Sequence, residues 1–190
     1  MKRAVQSVAK RYDRVIGIDV STKLIAVAVV DRGEPLALVS VGLPKGDIHL
    51  RLSHARKWFS SVLDVYKPGA CYIEAPILVQ NPLATKHLAY MVGILFGECL
   101  ERGIETADVP PMEWKSHIGY RAISKQERER VLSEYGETEG RKELRKIRKA
   151  QVQEKLKDMY PMFAKQLESD DLADALGIAL YCWEKLGKHN

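Results

Sequence analysis

Val15-Ile16-Gly17-Ile18-Asp19, Leu24-Ile25-Ala26-Val27-Ala28-Val29-Val30 and Leu36-Ala37-Leu38-Val39-Ser40-Val41 decide the fold of this 190-residue chain. All three runs are apolar and rich in β-branched residues, and turn formers separate them: Ser21-Thr22-Lys23, then Asp31-Arg32-Gly33-Glu34-Pro35. The pattern predicts an antiparallel meander over 15–19, 24–30 and 36–41. Downstream the period changes. Leu52, Ala55, Phe59, Val62, Leu63 and Tyr66 recur at helical spacing, which predicts a helix over 48–66 stopped by Lys67-Pro68-Gly69. A strand over 70–75 follows. The next helix, over 82–102, has Asn81 as its cap, Pro82 at its first position and Gly103 as its stop. A fifth strand occupies 104–109, and strands alternating with helices place the chain in the α/β class.

Composition sets the scale of the molecule. With 46% hydrophobic and 29% charged residues, the chain is sized for one domain around one good core. No apolar run approaches the roughly 20 residues that span a bilayer, so no membrane role is expected. Cys71, Cys99 and Cys182 are odd in number, far apart and set in apolar segments, which reads as reduced core thiols in a cytosolic protein. The net charge of +5 and pI near 9.0 suit a polyanionic partner. Part of the excess lies in residues 1–14, where Lys2, Arg3, Lys10, Arg11 and Arg14 face the single acid Asp13. That stretch lacks the length of a transit peptide and the apolar core of a signal peptide, and is read as a solvated basic arm ahead of one domain over 15–190.

Four carboxylates sit where apolar elements end or begin. Asp19 closes the first strand, Glu74 follows Cys71-Tyr72-Ile73, and Asp171 and Asp174 open an apolar stretch reaching Trp183. Burying several carboxylates side by side is costly unless a cation compensates them. Oxygen donors without neighbouring His or Cys favour Mg²⁺ or Mn²⁺ over zinc, which points to a two-metal phosphoryl-transfer site. Helix capping by Ser169-Asp170-Asp171 explains one or two of the last acids but not Asp174, which lies one turn beyond Asp171 and opposite a core stripe of Leu172, Leu176, Ala179, Leu180 and Trp183. Asp170, four residues before Asp174 where Asp171 is three, stays open as an alternative third ligand.

Two helical faces lend themselves to partners. Over 82–102, Leu88, Val92, Leu95 and Phe96 form an apolar face, with Gly93 and Gly97 open to close approach, suited to the sheet first and to a second subunit otherwise. From Arg121 to Lys157 charged residues dominate, and Gly136 and Gly140 bracket a turn between two helices. Within Arg141-Lys142-Glu143-Leu144-Arg145-Lys146-Ile147-Arg148-Lys149, six residues are basic and one acidic. Arg141, Arg145, Arg148 and Lys149 share one helix face, read as contacting phosphates in preference to being a solvated amphipathic surface.

Together these residues carry a resemblance. The Val15–Asp19 strand, the Tyr72-Ile73-Glu74 strand end followed by Asn81 and a glycine-containing helix, Pro111 and Lys115 ahead of Gly119, Lys149-Ala150-Gln151-Val152, and Asp171-Leu172-Ala173-Asp174-Ala175-Leu176 occur in the order found in the RuvC family of Holliday-junction resolvases. The chain resembles that family from about Arg14 to Leu186. The resemblance implies a ribonuclease H-like fold with a five-stranded mixed sheet flanked by helices, a homodimer, and a four-way-junction or other branched-DNA substrate. It makes Asp19, Glu74, Asp171 and Asp174 the metal-binding catalytic acids, and it sets Lys115 and Lys149 beside the phosphates, with Lys149 offsetting transition-state charge. Two Mg²⁺ ions per site, replaceable by Mn²⁺, would yield 5′-phosphate and 3′-hydroxyl ends, with Asp19 bridging them.

The chain departs from the family in three places. Ala75-Pro76-Ile77-Leu78 stands where relatives carry an aromatic wedge, Ser21 replaces a common glycine, and the charged helical segment at about 121–148 is long, as in phage-encoded relatives. The implied setting is the cytoplasm of a bacterial or phage-infected cell. A nuclease of the same fold cutting flaps and forks is the nearest alternative. A phosphate-binding actin-like module, suggested by Gly17-Ile18-Asp19-Val20-Ser21-Thr22, lacks the duplicated domain and second glycine-rich loop it needs.

Overall fold

The computed structural model describes residues 12–75 and 81–187. Strands β1 (Arg14–Val20), β2 (Leu24–Asp31) and β3 (Glu34–Gly42) form the meander; α1 (Ile48–Tyr66), β4 (Ala70–Glu74), α2 (Pro82–Glu101) and β5 (Glu105–Val109) follow. The short α3 (Pro111–His117), the long α4 (Lys125–Met159) and the terminal α5 (Asp170–Gly187) complete the chain. The sheet order is β3-β2-β1-β4-β5, with β1 antiparallel to β2 and parallel to β4. This is the five-stranded mixed α/β sheet expected from the sequence. Asn81 caps α2 as read, its Oδ1 accepting from Leu83 N at 3.0 Å and Ala84 N at 3.2 Å.

Side-chain alternation along β1 assigns a core to each face of the sheet. Ile16, Ile18 and Val20 point toward α1 and α2, where they meet Phe59, Leu63, Met91 and Leu95. The fully buried Phe59 and Leu95 side chains each stabilise that face by about 1.5–3 kcal/mol. Glu98 of α2 is buried beneath α1. Burial alone would raise its carboxyl, but Arg56 Nε at 2.5 Å and Arg102 Nη1 at 2.7 Å hold it below the ordinary value and tie the two helices together.

On the opposite face α5 lies across β1 and is buried on almost every side, at Leu172, Ala173, Ala175, Leu176, Gly177, Ile178, Ala179, Leu180 and Cys182. The single apolar stripe read from the sequence therefore understates it. Trp183, counted in that stripe, is only half-buried. The helix is central because Gly17 has no side chain. A Cβ there would stand 2.3 Å from both Ala175 O and Ala179 N, so the α5 backbone rests on the β1 backbone.

Three further readings change. Helix α3 was not foreseen. The turn in the charged region is made by Gly136 alone (φ 75°, ψ 168°), whereas Gly140 is helical and buried against Val131 and Leu132. Arg14 belongs to the sheet, with Nη2 at 2.5 Å from Asp31, while residues 1–11 of the expected basic arm lie outside the described residues. So does the 76–78 part of the stretch that departs from the aromatic wedge. Among the described residues no helix is long and apolar enough to cross a membrane.

The seat at Gly17 yields the first prediction. Gly17→Ala will lower stability in urea unfolding by at least about 3 kcal/mol, the upper range for overpacking. A loss below about 0.5 kcal/mol, typical of neutral surface changes, would show that α5 does not rest there.

Candidate active site

In the parallel pair Ile18 stands opposite Ile73, so Asp19 and Glu74, the next residues along, lie side by side at the strand ends. Val15 and Tyr72 mark the α5 side of their strands. By alternation Asp19 and Glu74 project to that same side. Helix α5 presents its first turns there, with Asp171 and Asp174 half-buried.

The acids are crowded. Asp19 is pushed from 3.8 to about 8, first by burial, then by repulsion from Glu74, Asp174 and Asp171. The closeness of the Asp171 carboxyl adds a smaller push in the same direction. Asp174 rises to about 7, chiefly from burial, with Lys115 pulling it down and Glu74 and Asp170 pushing it up. Lys115 Nζ lies 3.8 Å from Asp174 Oδ2 and 4.0 Å from Glu74 Oε1.

The structure separates Asp170 from Asp171. Asp170 accepts a hydrogen bond from Lys149, which raises the lysine, while Asp171 faces Asp19. Among the described residues no three carboxylate, imidazole or thiol groups converge tightly enough to form a ready-made ion cage. The four acids nevertheless fit a hard divalent cation. They offer only oxygen donors, and burial with mutual repulsion leaves Asp19 and Asp174 short of positive charge.

Trp114 was missed as a site residue. Its Nε1 donates to Glu74 Oε1 at 3.1 Å, and its fully buried ring lies over Gly177, where a Cβ would come within 2.5 Å of it. The signal was present in the sequence as a tryptophan directly before Lys115. Of the basic run, Arg145, Arg148 and Lys149 border a cavity that also includes Lys115 and Asp174. Arg141 does not line that cavity and pairs with Glu137 at 2.5 Å.

No family model matches the chain. The crossover junction endodeoxyribonuclease RuvC of Thermomicrobium roseum is 26% identical over 110 residues, covering 56% of this chain and 68% of the relative. Its namesake from Bacteroides fragilis is 28% identical over 109 residues, covering 55% and 58% respectively. Thermus thermophilus RuvC superposes with a TM-score of 0.64 at 18% identity, covering 92% of this chain and 96% of that one. Over about half its length the chain is similar in sequence to RuvC crossover junction endodeoxyribonucleases. RuvC from T. thermophilus in complex with Holliday junction substrate gives 0.61, also at 18% identity, with 93% and 96% covered. The yeast mitochondrial Holliday junction resolvase Ydc2 gives 0.54 at 16% identity, with 93% and 81% covered. At these identities the structural neighbours establish the RuvC fold for this chain.

The crowding predicts a cation-sensitive pH profile. Between 3.8 and about 8 the folded state holds a proton on Asp19 that the unfolded chain releases, so this contribution to stability is full at low pH and lost as pH approaches 8. Unfolding midpoints measured in chelator will fall from about pH 5 to pH 8, and Mg²⁺ will restore them increasingly at the upper end. A cation effect that does not grow with pH would contradict the arrangement.

Proposed function

We propose that this protein is a structure-selective endodeoxyribonuclease that resolves Holliday junctions in the cytoplasm by symmetric, metal-dependent nicking. The observation that carries the reading is the meeting of Asp19, Glu74, Asp171 and Asp174 at the ends of β1 and β4 and the start of α5, bordered by Lys115 and Lys149. It is supported by the likeness to crossover junction endodeoxyribonucleases and to a RuvC bound to junction substrate.

The four acids would hold two Mg²⁺ ions, or Mn²⁺, which when bound supply a Lewis acid and an acidified water. The chain does the rest. Trp114 fixes the orientation of Glu74, and Lys115, within 4.0 Å of both Glu74 and Asp174, opposes the rise of Asp174. Lys149, tethered to Asp170, stands where it can offset charge developing on the phosphate. Arg145 and Arg148 take flanking phosphates.

The character of α2 supports a homodimer. Leu83, Tyr90 and Leu100 are exposed, and a Cβ at Gly93 or Gly97 would meet nothing within 4 Å, so one helix side, broken only by Lys86 over the Tyr90 ring, is largely apolar and open to a second copy. The opposite side, through Val92 and Leu95, is buried against the sheet as the sequence suggested. Two-fold pairing would set two sites on strands of like polarity.

Incubation with a synthetic four-way junction, a flap, a fork and linear duplex tests the reading. The wild-type protein will nick the junction symmetrically with Mg²⁺ and leave duplex intact; equal cutting of flaps and forks would replace junction resolution with broader branched-DNA cleavage. Asp19→Asn will lose at least about 10³-fold in nicking rate, the scale of removing a preorganised charge, while keeping junction affinity. Asp171→Asn will match Asp174→Asn in severity, and Asp170→Asn will be mild. A dead Asp170 variant beside an active Asp171 variant would reverse the ligand assignment. Arg145→Gln and Arg148→Gln will each flatten the salt dependence of binding by about 0.9 log unit, and Arg141→Gln will not. An unchanged slope in the first two would remove them from the DNA.

A further inference from the structure

A cavity of about 740 Å³ lies between α3, the 118–124 connection and the second half of α4. Its volume falls within the roughly 300–1,000 Å³ of cavities that enclose small organic ligands. One wall is apolar: Met112, 57% exposed, faces the same space as Tyr120 and Ile123. The other wall is cationic. Six basic residues occur between Arg141 and Lys149, and four have acidic partners: Arg141 with Glu137, Lys142 with Glu139, Lys146 with Glu143, and Lys149 with Asp170. Arg145 and Arg148 have none among the described residues, and these two line the cavity. Asp174 and Lys115 close the end nearest the acids.

A phosphate backbone alone would need no apolar wall, and an apolar ligand would need no pair of unpartnered guanidinium groups. The combination suits a molecule carrying a flat apolar face and an anionic ester together. We propose that this cavity receives one unstacked nucleotide of the bound DNA strand, adjacent to the phosphate being cut, with its base against Met112, Tyr120 and Ile123 and its phosphates on Arg145 and Arg148. Within a duplex only base edges are exposed, so a base can lie against the apolar wall only by leaving the stack. An open junction offers such a base at low cost, because pairing there is already strained or broken. The pocket thereby makes the enzyme responsive to the nucleotide beside the cut. This inference rests on the nuclease reading above for its ligand.

The test is an abasic scan. Single abasic nucleotides are placed at each position within four nucleotides of the crossover of a synthetic junction, and binding is measured without divalent ion for wild type, Met112→Ala and Arg145→Gln. Wild type will lose about tenfold in affinity at one position flanking the cut, the scale of one base stacked on a protein surface, with little change elsewhere. Met112→Ala, a surface change expected to keep the wild-type melting temperature, will bind intact and abasic junctions alike at that position. Arg145→Gln will weaken binding at all positions while the dip remains. A flat wild-type scan, or a dip undiminished in Met112→Ala, overturns the pocket assignment. Mg²⁺-dependent nicking of the intact junction is scored separately: nicking with a flat scan sinks the pocket alone, and a dip without nicking sinks the nuclease reading alone.

Discussion

The contact of the α5 backbone with Gly17 of β1 is the constraint on which the site depends. Any side chain at residue 17 would lift the helix off the sheet. With the helix seated, its first turns fall beside Asp19, two residues further along the same face of β1, and beside Glu74 on the neighbouring parallel strand. Gly177 repeats the device one layer out by admitting the ring of Trp114, which in turn holds Glu74. Two glycines thus bring together acids that are 155 residues apart in the chain, Asp19 to Asp174.

Such packing concentrates negative charge in a poorly solvated place. Burial and repulsion oppose ionisation of Asp19 and Asp174, and Lys115 relieves the strain only in part. A site left short of positive charge favours whatever cation restores the balance, and on the proposed nuclease reading a cation bound there would confront an incoming phosphate. The surrounding basic residues are graded to match. Of the six cations between Arg141 and Lys149, three are neutralised by acids on their own helix, Lys149 is tethered to Asp170, and Arg145 and Arg148 remain available beside the acids. Local pairing thereby turns the basic run between Arg141 and Lys149 into a directed surface.

Much of this was legible in the sequence because the controlling signals are local. The meander follows from three β-branched runs and their turns, α1 from the spacing of Leu52 to Tyr66, and α2 from Asn81 and Pro82. The four acids could be named because each ends or begins an apolar element. What escaped depends on distant partners. Nothing near Asp170 and Asp171 says which one meets Asp19; that is settled by Lys149, on another helix. The face of Arg141 to Lys149 was drawn from helix geometry, but which arginines stay free depends on Glu137, Glu139 and Glu143 nearby. Helix α3 is only seven residues long and starts at Pro111, too short for a periodic signal. The all-round burial of α5 follows from a glycine on another element, which no inspection of the helix itself reveals.

The central claim is that the four acids form one cation-binding centre. Anomalous scattering from crystals grown with Mn²⁺ tests it directly. The account predicts Mn²⁺ peaks bounded by Asp19, Glu74, Asp171 and Asp174, absent from crystals of Asp19→Asn grown in the same way. Peaks elsewhere on the molecule with none among these residues, or peaks at the site undiminished by Asp19→Asn, would contradict it.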